Sequence, residues 1–142
     1  MALYDQLPVY KVAYDLLSLI LDISPNMQRS FRYTIGERIL NTAVDLLQNI
    51  YRANTVYDKS VPLTAARDNL ISVRLFIRLA HDKKQISSKN YLIANDLIEN
   101  VGKQLTSWSK SVAQNKGKNE QLTMNNEESV KKNEKKTIDL FE

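Results

Sequence analysis

The chain of 142 residues contains no cysteine and a single histidine, His81. It therefore cannot form disulfides, use a thiol as a nucleophile, or bind a metal through thiolates or several imidazoles. A glycine-rich phosphate loop, an HExxH motif and a GxSxG motif are also missing. Without a nucleophile, an acid/base pair or a metal constellation, the sequence predicts a protein that is not an enzyme and uses no cofactor or metal.

Long apolar runs are missing as well. No stretch approaches the roughly 20 residues that span a bilayer. The first five residues also lack the basic start and the apolar run of a signal peptide. We therefore expect a soluble, cytoplasmic protein with no membrane partner.

Glycine and proline are scarce, with three of each, so few residues interrupt a helix. Apolar residues recur at steps of three and four in four segments. These segments cover residues 9–23, 29–54, 62–83 and 88–112, and Ser87 or Ser88 is the expected N-cap of the last. Gly36, inside the second, predicts the close approach of a neighbouring helix. Four amphipathic helices with short loops predict an all-α domain at residues 1–112, an up-down-up-down four-helix bundle.

The composition changes after Ala113. Residues 113–142 carry six basic and six acidic side chains, whereas residues 1–112 carry 14 and 10, so the net charge of +4 belongs to the first 112 residues. That mild excess alone is weak support for a nucleic-acid partner. The polar segment 113–142 has too few apolar residues to offset the entropy lost on ordering, and we predict a disordered tail.

The third segment has an unusual arrangement of charge. At about 100° per residue, four cationic side chains fall on one narrow stripe, called here the cationic seam: Arg67, Arg74, Arg78 and His81. Apolar residues flank it on both sides, with Leu70, Val73 and Ile77 on one, Ile71, Leu75 and Leu79 on the other, and Phe76 opposite. A surface helix normally has one apolar face. The pattern therefore predicts burial on two sides, by the bundle and by a second subunit.

The chemistry of the cationic seam leaves two interpretations open. Its arginines can face water or pair with nearby carboxylates, and Asp82 lies four residues after Arg78. Alternatively they bind phosphate, since the planar guanidinium donors match its oxygens, and such binding would depend strongly on salt. Trp108 packs in the core or at a subunit interface, or stacks on a base. The candidate packing or oligomer contacts are Phe76, Leu75, Leu79 and Trp108.

A series of short motifs in this order resembles a known family. The motifs are Leu7–Tyr10, Arg32–Ile39, Val73–Ala80, Ile86–Tyr91 and Val101–Trp108. Each is weak alone, but together they resemble the accessory variability determinant (Avd) proteins of diversity-generating retroelements over about residues 7–112. These are four-helix-bundle proteins related to the large-subunit rRNA intervening-sequence proteins.

The resemblance implies a ring-like homopentamer whose basic surface binds RNA or DNA. It also implies association with the retroelement's reverse transcriptase, in support of mutagenic cDNA synthesis and without a catalytic role. Arg74 and Arg78 match the family's paired arginines, whereas Arg67 and His81 extend the cationic seam by periodicity alone. The alternative is a structural, oligomeric bundle of the rRNA intervening-sequence type with no polymerase partner.

Overall fold

The structure is a computed structural model that describes the backbone of residues 3–141 and the side chains of residues 3–136. Helix α1 spans Pro8–Ile23, α3 spans Ser60–Asp82 and α4 spans Ser88–Phe141. Helix α2 consists of three consecutive pieces, Arg29–Phe31, Arg32–Gly36 and Glu37–Thr55. Single 3-10 turns at Tyr4–Gln6 and Ser24–Asn26 flank α1. The four predicted segments are thus four helices, and the described backbone contains no strand.

Helix α2 packs against both α1 and α3. The Arg38 guanidinium lies 5.6 Å from the centre of the Phe76 ring, and Asn49 Nδ2 donates to Asn69 Oδ1 at 2.7 Å. Residue numbers therefore rise along α2 as they fall along α3, so the two helices are antiparallel. Helix α3 in turn meets α4, where Gly102 lies against Leu70. This is the predicted four-helix bundle.

The core is formed by one face of each helix. In α1 the buried residues are Val9, Ala13, Leu16, Ile20 and Ile23, and in α4 they are Ala94, Ile98, Val101 and Leu105. Steps of three and four place such residues on one side of a helix. Each large apolar side chain that is fully buried contributes about 1.5–3 kcal/mol, so this repeated spacing is what fixes the bundle.

The helix boundaries follow local chemistry. Pro8 occupies the first position of α1, where its missing N–H leaves no hydrogen bond unmade. Helix α1 gives way to a 3-10 turn at Ser24–Asn26, but Ser24, which precedes Pro25, keeps α-helical angles (φ −55°, ψ −42°). The predicted pre-proline restriction is therefore not what ends the helix. At the start of α4 the Asn90 backbone N–H donates to Ser87 Oγ at 3.1 Å, so Ser87 is the N-cap.

Helix α2 contains a π-helical turn at Arg32–Gly36, where the Glu37 N–H reaches back five residues to the Arg32 carbonyl. Gly36 is buried, and a Cβ placed on it would lie 3.3 Å from the Phe31 carbonyl oxygen and 3.4 Å from Met27 Sδ. The expectation that Gly36 admits a neighbouring helix is therefore wrong. The close contact is with the preceding turn of its own helix and with the α1–α2 connection.

Helix α4 continues to Phe141, past residue 112, where the sequence pattern predicts its end. By its contacts the chain divides into two compact units, Met1–Ser109 and Lys110–Glu142. Every side chain described between Ala113 and Lys136 is exposed, and residues 137–142 lie outside the described side chains. A helix without tertiary packing is marginally stable in water, so disorder of residues 113–142 in solution stays a prediction.

None of the helices, over the residues that were described, combines the length and apolarity needed to cross a membrane.

Candidate nucleic-acid interface

The cationic seam lies along the boundary between the buried and exposed sides of α3. Leu70, Val73 and Ile77, on one flank, are buried at 5% exposure or less. Arg67, Arg74 and Arg78 are exposed, and His81 is half-buried. The backbone of α3 fixes their spacing, because side chains separated by three, four or seven residues share one side of a helix. The structure thus brings the predicted arginines together on an accessible surface.

Among the side chains that the structure describes, the three arginines of the seam have no acidic partner. Within the part of the chain whose side chains are described, no carboxylate lies within 4.0 Å of Arg67, Arg74 or Arg78. Asp82, the local partner available to Arg78, instead lies 3.9 Å from His81 Nδ1. The guanidinium groups therefore keep their hydrogen-bond donors and their charge for water or for an anion.

A groove of about 640 Å³ separates the arginine side of α3 from α4. From α3 it is lined by Arg67, Leu70, Ile71 and Arg74, and from α4 by Glu99, Gly102, Lys103, Thr106 and Ser107. A Cβ on Gly102 would lie 3.4 Å from Leu70 Cδ2 and 3.9 Å from Arg74 Nη2. Gly102 thus lies where α3 and α4 meet, beside the Arg74 guanidinium, and a Cβ there would make ordinary van der Waals contact.

Sequence reasoning missed the α4 side of this groove. Lys103 adds a third cation and Glu99 an opposing carboxylate, while Thr106 and Ser107 supply hydroxyl groups. The sequence feature that could have pointed to it is the dipeptide Gly102-Lys103, which lies inside one of the family-like motifs. Helical periodicity places these residues on a common face but does not say which neighbouring helix that face meets.

His81 differs from the other members of the cationic seam because it is engaged within the bundle. Its ring stacks on Tyr91 with centroids 4.1 Å apart and planes 6° from parallel. Its Nε2 lies 3.4 Å from Ser88 Oγ. These contacts fasten the last turn of α3 to the first turn of α4, which gives His81 a structural role whatever else it binds.

The second apolar flank of α3 remains uncovered in the single chain. Ile71 is 64% exposed, Leu75 61% and Leu79 38%. Phe76 is half-buried under Arg38 of α2, and Trp108 is half-buried on α4. Phe76 and Trp108 thus pack at least partly within their own chain, whereas Leu75 and Leu79 are free for a subunit contact. The predicted homopentamer stays a prediction.

A second groove, of about 770 Å³, lies between the N-terminal turn, α1 and α2. Tyr4 packs edge-to-face on Tyr10 and on Tyr51, with centroids 5.2 and 5.0 Å apart. Burial raises the pKa of Tyr10, with smaller contributions from Tyr4, Tyr14 and Asp5. The tyrosines hold the N-terminal turn on the bundle.

No cluster that could hold a metal ion occurs here or elsewhere among the described residues.

The sequence matches the profile of the bAvd-like family over residues 7–112. Among solved structures, the fold is similar to that of a protein of unknown function from the S23 ribosomal protein family of Bacteroides thetaiotaomicron. The two structures superpose with a TM-score of 0.66 at 17% sequence identity, over 72% of this chain and 98% of the other. At such low identity the similarity shows a shared fold alone. No curated protein matches the sequence.

Proposed function

The chain belongs to the bAvd-like family, and from that membership we propose that it is a non-enzymatic accessory protein of a diversity-generating retroelement. In this role it binds RNA or DNA and the reverse transcriptase and supports mutagenic cDNA synthesis. We further propose that it acts as a homopentamer, which would multiply the cationic seam around a ring.

One observation carries the nucleic-acid part of the proposal. Arg67, Arg74 and Arg78 are exposed on one side of α3 and have no carboxylate partner within 4.0 Å in the described part of the chain. Arg67 and Arg74 have no acidic residue three or four positions away, where an ion pair within the helix would form. Unpaired guanidinium groups in a row match the spaced charges of a phosphate backbone.

The test is a salt titration of binding to a fluorescein-labelled single-stranded RNA of 20 nucleotides. In Arg74→Ala/Arg78→Ala we expect weaker binding and a log–log salt slope smaller by about 1.4, since each phosphate contact on a single strand contributes about 0.7. Circular dichroism should show an intact bundle, because both side chains are exposed. The matched control, Lys116→Ala/Lys118→Ala, removes the same charge from exposed residues after the bundle. An unchanged slope in the arginine variant would reject the cationic seam as the contact surface.

The association with a polymerase is tested separately. A reverse transcriptase gene beside this one, with paired template and variable repeats, and co-purification of the two proteins would support the proposal. The second candidate function is a structural, oligomeric bundle of the rRNA intervening-sequence type. A gene located within an rRNA insertion would decide for it.

A further inference from the structure

The α1–α2 and α3–α4 connections meet at one end of the bundle. The Gln28 backbone N–H donates to Gln85 Oε1 at 2.8 Å, and Gln85 Nε2 donates to the Lys83 carbonyl at 3.0 Å. One glutamine side chain therefore holds the start of α2 against the end of α3. Basic residues lie on both sides of this link, and we call Arg29, Arg32, Lys83 and Lys84 the connection-end patch.

Lys84 has an unfavourable backbone conformation. Its φ is 61°, and it is the one residue other than glycine with a positive φ in the described chain. The Lys84 N–H bonds the His81 carbonyl and the Gln85 N–H bonds the Ala80 carbonyl, which closes the end of α3. Glycine is the usual residue at this position because it has no Cβ to clash. A lysine here places a charge on the surface at the expense of stability.

Arg29 and Arg32 also oppose a local preference. They lie in the first turns of α2, at the positive end of the helix dipole, where carboxylates are favoured and cations are not. The first turn of α2 contains no acidic residue. No described carboxylate lies within 4.0 Å of either guanidinium. The Nε of Arg32 is buried without a hydrogen-bond partner among the described atoms, and its guanidinium lies 5.6 Å from the Tyr33 ring centre.

The carboxylates at this end do not neutralise the patch. Asp82 lies beside His81 at 3.9 Å, and Asp22 is exposed near the end of α1. Tyr33 is 57% exposed and follows Arg32 directly. Local choices that cost stability tend to collect where a protein binds something. Here two destabilising features are the positive φ of Lys84 and the arginines at the positive end of the α2 dipole. They lie on two segments that the Gln28–Gln85 hydrogen bond joins.

We propose that the connection-end patch is a second nucleic-acid contact, distinct from the cationic seam, which binds the phosphates of a single strand while Tyr33 stacks on a base. An exposed aromatic ring beside unpaired arginines is the combination that single-strand binding proteins use. An acidic protein surface would be attracted by the charges but would not need the ring. The inference shares its partner with the proposed function but not its binding surface.

The test compares binding of fluorescein-labelled dT20 to the full chain and to Arg29→Ala/Lys84→Gly. Two lost phosphate contacts should lower the log–log salt slope by about 1.4 and weaken binding roughly tenfold near 0.1 M salt. The midpoint of thermal unfolding should not fall, because the lysine leaves a conformation that favours glycine and the arginine leaves the positive end of a helix. Reduced binding without reduced stability would separate a contact role from a folding role.

A second variant, Tyr33→Leu, tests the base contact. Loss of one stacked base should weaken dT20 binding about fivefold or more, whereas binding of heparin, a polyanion without bases, should not change. If both variants bind dT20 with the affinity and slope of the unmodified chain, the inference is overturned.

The cationic-seam variant Arg74→Ala/Arg78→Ala makes the two proposals separable. If it loses dT20 binding while the connection-end variants retain it, the proposed function stands and this inference fails. If the connection-end variants lose binding and the seam variant retains it, this inference stands and the seam is not the contact surface. If the unmodified chain does not bind dT20 at all, the inference is rejected.

Discussion

The two apolar flanks of α3 have nearly the same composition and opposite surroundings. Leu70, Val73 and Ile77 are buried between the helices of the bundle, whereas Ile71, Leu75 and Leu79 face outward with the cationic seam between the two sets. Residue type alone therefore does not determine burial. The first flank stabilises the chain itself, and the second is available for a partner, since contiguous exposed apolar surface commonly marks an interaction site.

The largest effect should come from an equal truncation on each flank. Ile77 is 1% exposed and Ile71 64%. Ile77→Ala should lower the free energy of unfolding by about 2–4 kcal/mol, because it leaves a cavity. Ile71→Ala should change it by less than about 0.5 kcal/mol in the monomer. Urea denaturation measures both. Equal losses would mean that the outward flank is also buried, for instance within an assembly that persists during the measurement.

Substitutions on the outward flank test directly whether it forms a contact between subunits. Leu75→Glu/Leu79→Glu places two carboxylates on exposed positions, so the bundle should remain folded by circular dichroism. Sedimentation velocity should then show a monomer where the unmodified chain sediments as a larger species, because charge is disfavoured at the centre of an interface. A monomer for the unmodified chain at working concentration would contradict the homopentamer.

A smaller effect is expected at the end of α3, outside both flanks. Lys84→Gly should raise the free energy of unfolding by about 0.5–1 kcal/mol, because glycine adopts a φ of 61° without steric cost. Lys83→Gly is the matched control, since Lys83 has a φ of −86° and gains nothing from losing its Cβ. Thermal unfolding compares the two, and an equal shift would remove the conformational explanation.

The smallest effect should follow from removing the segment after residue 112. Leu122, Met124 and Val130 are 56–62% exposed, so they resemble the outward flank of α3 and not the buried one. Truncation after Val112 should change the free energy of unfolding by less than about 0.5 kcal/mol. Limited proteolysis of the full chain checks the predicted disorder, with early cleavage expected after residue 112. Resistance of that segment to proteolysis would contradict it.

The sequence predicted the helices and their ends correctly where interactions between neighbouring residues determine them. The steps of three and four in α1, the proline at its start and the serine N-cap of α4 depend on neighbouring residues, and the structure confirms them. The paired arginines of α3 were likewise visible, because their exposure follows from the same periodicity. Their role in binding stays a prediction.

Features set by the meeting of distant segments could not be derived in this way. Lys103 joins Arg67 and Arg74 in one groove because α3 and α4 pack together. His81 stacks on Tyr91 across a loop. Helical periodicity placed His81 on the cationic seam but did not predict this packing role. The π-helical turn at Arg32–Gly36 also has no signal in the helical periodicity of the sequence.

That turn sets the angular relation between the start of α2 and the rest of the helix. A π turn holds one residue more than the i→i+4 pattern allows, and each residue corresponds to a rotation of about 100° around the axis. Because the turn absorbs the extra residue, Arg29 lies about 100° from where an uninterrupted α-helix of the same length would place it relative to Ile39. Deleting one residue within Arg32–Gly36 would restore a regular α-helix and leave Arg29 in the same direction. The π turn thus sets the direction in which Arg29 leaves the helix relative to the buried face of Glu37–Thr55.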